Sequence, residues 1–155
     1  MVTTMTGIVE RAREAANSVV DPEIPVLTIA ELGILRHVRA EGESVVVMIT
    51  PTYSGCPAMR EIEEALKQAL ARAGVPDVEV RLVHDPAWSS EWITDEGRRK
   101  LAEFGIAPPT PVDEVVCPRC ASAAPRMVAR FGSTACKALM VCSSCGDPFD
   151  YFKEF

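Results

Sequence analysis

The sequence predicts an α+β chain in two parts: a small α/β domain of helices packed on a three-stranded sheet, then a C-terminal ribbon of short β-strands tied by cysteines. Three observations predict it. Helix-like and strand-like apolar patterns alternate through the N-terminal two thirds of the chain. A stiff stretch, Ala107-Pro108-Pro109-Thr110-Pro111, then interrupts the pattern. Five of the six cysteines follow it. The reading divides the chain into a domain at 1–106, a proline-rich linker at 107–115 and a four-cysteine ribbon at 116–155.

Each element has a local reason. Ile8, Val9, Ala12, Ala15, Ala16, Val19 and Val20 fall at helical spacing within 6–20. Asp21-Pro22-Glu23-Ile24-Pro25 ends that helix, because each proline disfavours helical geometry in the residue before it. After a turn at 28–32, residues 34–40 read as a strand, Glu41-Gly42-Glu43 as a turn, and 45–50 (VVVMIT) as a buried strand. Residues 51–57 form a loop. Ala58, Met59, Ile62, Ala65, Leu66, Ala69, Leu70 and Ala73 then line one face of a helix that Gly74 and Pro76 terminate. Residues 78–83 alternate as a third strand, and a helix over 94–104 stops at Gly105.

Composition narrows the function. The net charge is −6, with 11 Lys/Arg against 19 Asp/Glu in residues 1–115 and 5 against 3 in residues 116–155. So acidic a body repels a phosphate backbone, and nucleic acid is not an expected partner. The longest apolar runs are far too short to span a membrane, and the first twenty residues lack the apolar core of a secretory signal. The reading is a cytoplasmic protein with no membrane partner, and its cysteines are therefore expected to be ligands or thiols rather than disulfides.

Cys117-Pro-Arg-Cys120 and Cys142-Ser-Ser-Cys145 form two C-x₂-C pairs with 21 residues between them. Each pair lets two sulfurs converge from one tight turn, and two turns complete a tetrahedron. Some forty residues rarely bury enough apolar surface to fold alone, and a structural Zn²⁺ supplies the missing stability. Iron, or an iron–sulfur cluster, is chemically allowed on the same thiolates. Cys136 lies outside both pairs and reads either as a buried strand residue or as an auxiliary thiol, activated by Lys137 or serving as an alternate ligand.

Cys56 precedes Pro57, and proline favours the first helical position. Cys56 is therefore expected to cap the long helix, where the helix dipole and free N–H groups would lower its pKa. Taken alone, Asp21 and Glu23 read as turn residues that could reach the same surface. His37 and His84 are assigned no role, and no acid–base or nucleophile constellation points to catalysis.

Asp21-Pro22-Glu23-Ile24-Pro25, the VVVMIT strand, and Thr52 four residues before Cys56-Pro57 resemble the small domain of SufT-type iron–sulfur assembly proteins. That resemblance implies a metal- or cluster-handling patch at Asp21, Glu23, Thr52 and Cys56; Tyr53 stands where the family often has a second threonine. A longer signature runs through Pro51–Ala58, Trp88, Trp92-Ile93-Thr94, Gly97-Arg98, Leu101 and 104–109. It continues through Phe131–Leu139 and ends at Pro148–Lys153. This signature resembles the D-subunit family of the phenylacetyl-CoA epoxidase system. The resemblance implies an accessory, non-catalytic role in aerobic phenylacetate breakdown, with transient iron or an iron–sulfur cluster as cargo. Its implied partners are the oxygenase or reductase components or the cluster-assembly machinery. A docking subunit and a rubredoxin-like electron carrier are the alternatives, and a homodimer stays open.

Overall fold

The structure, a computed structural model, describes residues 4–123 and 125–155. It divides into two compact units, Met1–Trp88 and Ser89–Phe155.

In the first unit, α1 (Met5–Asn17) is capped by Thr4, whose hydroxyl accepts from the Gly7 N–H. It stops short of the expected end: Val19 lies beyond the helix and Val20 forms an isolated antiparallel bridge with Thr28. β1 (Leu35–Glu41) and β2 (Ser44–Ile49) pair antiparallel, and β3 (Val78–Leu82) adds to β2 in parallel. The sheet order is β1-β2-β3, the three strands that periodicity predicts. A parallel neighbour requires a crossover, and α2 (Ala58–Arg72) supplies it. β2 is the central strand and is buried along nearly its whole length, which is why its sequence is a continuous apolar run. Ile62, Leu66 and Leu70 of α2 are buried with it, and Gly74 ends the helix at φ +75.

The second unit begins earlier than the proline stretch suggests. α3 (Asp95–Glu103), capped by Thr94, packs beside the two-residue strand β4 (Ile106–Ala107). Arg98 reaches the carbonyls of Pro109 and Ser90, and both Ser89 and Ser90 donate to the Phe155 carbonyl. These long-range bonds group residues 89–106 with the ribbon, whereas local pattern assigns them to the first domain. Nor is 107–115 a free tether. Ala107 pairs with Tyr151, the Tyr151 hydroxyl donates to the Thr110 carbonyl, and Val115 is buried.

β5 (Pro125–Ala129), β6 (Lys137–Cys142) and β7 (Pro148–Phe152) complete a four-stranded sheet in the order β4-β7-β6-β5. Phe149 and Tyr151 are buried in the small core with Met140 and Val115; Phe152 is buried as well, and Phe155 is exposed.

Candidate functional site

Four sulfurs converge at one end of the second sheet. The Cys117 carbonyl accepts from the Ala121 N–H and the Cys142 carbonyl from the Gly146 N–H, so each C-x₂-C closes as a turn. Gly146 takes φ +76, a backbone state that glycine adopts without steric cost. The Sγ atoms of Cys117, Cys120, Cys142 and Cys145 all lie within 4.8 Å of one another. Cys117–Cys145 and Cys120–Cys142 are 3.8 and 3.6 Å apart. A disulfide holds its sulfurs at about 2.0 Å. A tetrahedron with bonds of about 2.3 Å to a central ion has edges of about 3.8 Å. The spacing thus fits four thiolates around one divalent ion and does not fit two disulfides.

Electrostatics agree with that geometry. N–H groups from Cys145 and Ser144 and the neighbouring Cys120 thiol pull Cys142 down to about 6. Cys120 is pushed up to about 12 even though the Ser122 N–H favours its thiolate, because hydrogen bonds with the Cys142, Cys145 and Cys117 thiols, together with desolvation, favour its protonated form. Four thiols this close cannot all ionise until a cation neutralises them. Cys136 is not part of this cluster. It is buried just before β6, with its Sγ 3.0 Å from the Thr134 hydroxyl.

A different arrangement surrounds Cys56 in the first unit. Asp21 is buried, and its Oδ1 accepts from the backbone N–H groups of Glu23 (2.8 Å) and Ile24 (2.9 Å). That Asx turn fixes the segment after α1, and the Asp21 N–H donates to the Leu27 carbonyl. The loop after β2 turns at Gly55, with φ +80. Helix α2 begins at Ala58 with Pro57 as its cap residue, so Cys56 lies one position before the cap rather than on it.

The expected low pKa is not found either. Burial pushes the Cys56 thiol up from its ordinary value of 9.0. An N–H from Ala58 and a hydrogen bond with Thr52 pull the other way, and the Glu23 and Asp21 carboxylates add to the rise. One helix-terminal N–H does reach the sulfur, as sequence reasoning expects; desolvation outweighs it. The fold thus brings Thr52, Glu23 and Asp21 within interaction range of Cys56 from two loops more than 25 residues apart in sequence.

Residues 106–153 match the family described as the PaaD zinc beta ribbon domain, and residues 10–83 match the family described as iron-sulfur cluster assembly protein. A protein of Escherichia coli K12, named as the putative D subunit of 1,2-phenylacetyl-CoA epoxidase, is 50% identical over 140 residues, covering 86% of this chain and 85% of that protein. An Fe-S protein maturation auxiliary factor of Porphyromonas gingivalis is 31% identical over 54% of this chain and 81% of its own length. A like-named factor of Bacillus subtilis is 34% identical over 53% of this chain and 81% of its own. Among solved structures, a domain of unknown function, DUF59, from Bacillus anthracis superposes with TM-score 0.57 at 27% identity, covering 63% of this chain and 93% of that one. A conserved hypothetical protein of Thermotoga maritima gives 0.53 at 30% identity, covering 65% and 98%. Both coverages suit the assembly-type domain alone, with the ribbon as the addition.

Proposed function

The chain belongs to the family of 1,2-phenylacetyl-CoA epoxidase D subunits, and from that premise we propose that it is a non-catalytic maturation factor for the epoxidase system. It acts in the cytoplasm and assists assembly of an iron–sulfur or di-iron centre in another component. The observation that carries this reading is the gathering of Cys56, Thr52, Glu23 and Asp21 in a domain of the iron–sulfur assembly family.

The two sites do different work. Cys117, Cys120, Cys142 and Cys145 hold one Zn²⁺, which fixes the shape of the ribbon. Cys56 handles iron as cargo: the Glu23 and Asp21 carboxylates act on its sulfur electrostatically, and arriving Fe²⁺ takes the place of the thiol proton. Because burial keeps that thiol protonated in the metal-free protein, it resists oxidation until the cation arrives.

The test is the metal content of epoxidase components purified from a strain lacking this protein. We expect iron to be depleted in one component, restored by the wild-type chain and not by Cys56→Ala. Normal iron in the deletion strain overturns the reading. The same chain, purified without added metal, should be colourless with one zinc; an iron absorption spectrum from the four-thiol site would instead favour an electron carrier.

A further inference from the structure

β5 is the outer strand of the second sheet, and its side chains stay open to solvent. Met127 is 40% exposed, and Phe131, just beyond the strand, is 67% exposed. Together with Val112 they line a groove of about 530 Å³, which also receives Arg130, Lys153 and one acid, Glu154. Lys153 donates to the Arg130 carbonyl (3.0 Å) and lies 4.5 Å from the centre of the Phe131 ring. The ammonium thus sits over the face of an exposed ring, a favourable cation–π arrangement.

Neither cation of the groove has an acidic partner among the described residues, although Lys153 already holds the Arg130 carbonyl and the Phe131 ring. Arg99 and Arg119 of the same unit are paired with Glu96, Glu103 and Asp147. Among the described residues neither Arg130 nor Lys153 has an acidic side chain within ion-pair distance. Arg130 and Lys153 thus place two positive charges beside exposed apolar side chains in a chain of net charge −6. Such a combination suits a partner that brings carboxylates for the rim and an apolar side chain for the centre. A small ligand is the poorer fit, since drug-sized sites enclose most of their occupant and Phe131 stands largely in solvent. Backbone pairing along β5 is also disfavoured: Pro125 lacks an N–H, and the ladder is interrupted between Met127 and Ala129. Recognition must come from side chains.

We propose that this groove receives an acidic segment of a protein partner, with carboxylates on Arg130 and Lys153 and an apolar side chain against Phe131 and Met127. The proposal rests on the maturation reading for its choice of partner, an epoxidase component. The test titrates the full, metal-loaded chain against each purified oxygenase and reductase component, and against overlapping synthetic peptides covering them, at low and high salt. At least one component should bind through a net-negative peptide, more weakly as salt rises. Arg130→Glu and Phe131→Ala should each weaken binding about tenfold with zinc content unchanged. Cys56→Ala should bind like wild type while failing to restore iron. Binding untouched by both groove variants, binding peptides that are basic, or no binding to any component overturns the proposal. Normal iron delivery by Cys56→Ala would sink the maturation reading and leave the groove result standing.

Discussion

Cys56 shows how one side chain's chemistry is decided by its neighbours rather than by its place in the sequence. A thiol near a helix N-terminus is expected to ionise easily. Here half-burial and two carboxylates favour the protonated form, and the Ala58 N–H and Thr52 only partly offset them. The sign fixes the pH dependence. An acid whose folded pKa is raised stabilises the fold fully below its unfolded value, and that contribution fades as pH climbs through the raised value. Alkylation of Cys56 in the metal-free protein should therefore be slow at neutral pH and reach its half-maximal rate above pH 9. Glu23→Gln removes a like charge, lowers the thiol pKa and should speed alkylation at fixed pH. Mass spectrometry of iodoacetamide-treated protein measures both. An unchanged or slower rate in Glu23→Gln would mean the carboxylate does not face the sulfur. The expectation of Cys56 as a cap fails for a simple physical reason. Pro57 already has helical angles, φ −69 and ψ −23, but the first helical residue is Ala58, one position later than the proline rule suggests.

At the level of elements, legibility follows the strength of local patterns. α2 and β2 are plain because burial of one helix face and of both strand faces leaves distinct periodicities. The C-x₂-C turns are plain because tetrahedral ligation demands that spacing. β4 is not, because two residues carry no periodicity and are held by pairing with β7. The unit boundary after Trp88 is hidden for the same reason: Arg98 and the two serines act across long sequence separations. The nearness of Asp21 and Glu23 to Cys56 cannot be fixed from either loop alone; local reading allows only that they could reach the same surface, and the family resemblance is what groups them. The α2 reading carries a numerical expectation. Leu66 is fully buried, so Leu66→Ala should cost about 2–5 kcal/mol through lost transfer energy and the cavity left behind. A shifted urea midpoint for the first unit would register this, and a cost below about 1 kcal/mol would mean that Leu66 is not part of the core.

For the whole molecule, the division into two units makes metal dependence local. The first unit has a sheet, two helices and a conventional apolar core, so it needs no ion. The second has a smaller apolar core, in which Leu101, Ile93 and Ile106 are buried as well as Met140, Val115 and three aromatic side chains, and its two knuckles are short turns whose four sulfurs meet at one point. Removing the ion should therefore cost the second unit its order and spare the first. The chain carries its own probes, because Trp88 is buried in the first unit and Trp92 belongs to the second. Trp92→Phe leaves Trp88 to report one unit. Trp88→Phe leaves Trp92 to report the other, at a cost of about 1 kcal/mol for the lost bond to the Leu32 carbonyl. Under a strong chelator, Trp92 fluorescence should lose its cooperative thermal transition while that of Trp88 persists. Cys142→Ser should reproduce this without chelator, since a hydroxyl is a far poorer zinc ligand than a thiolate. If both tryptophans lose their transitions together on chelation, the units are one cooperative body. If neither does, the ribbon holds its shape without an ion, and the four-sulfur cluster is not what orders it.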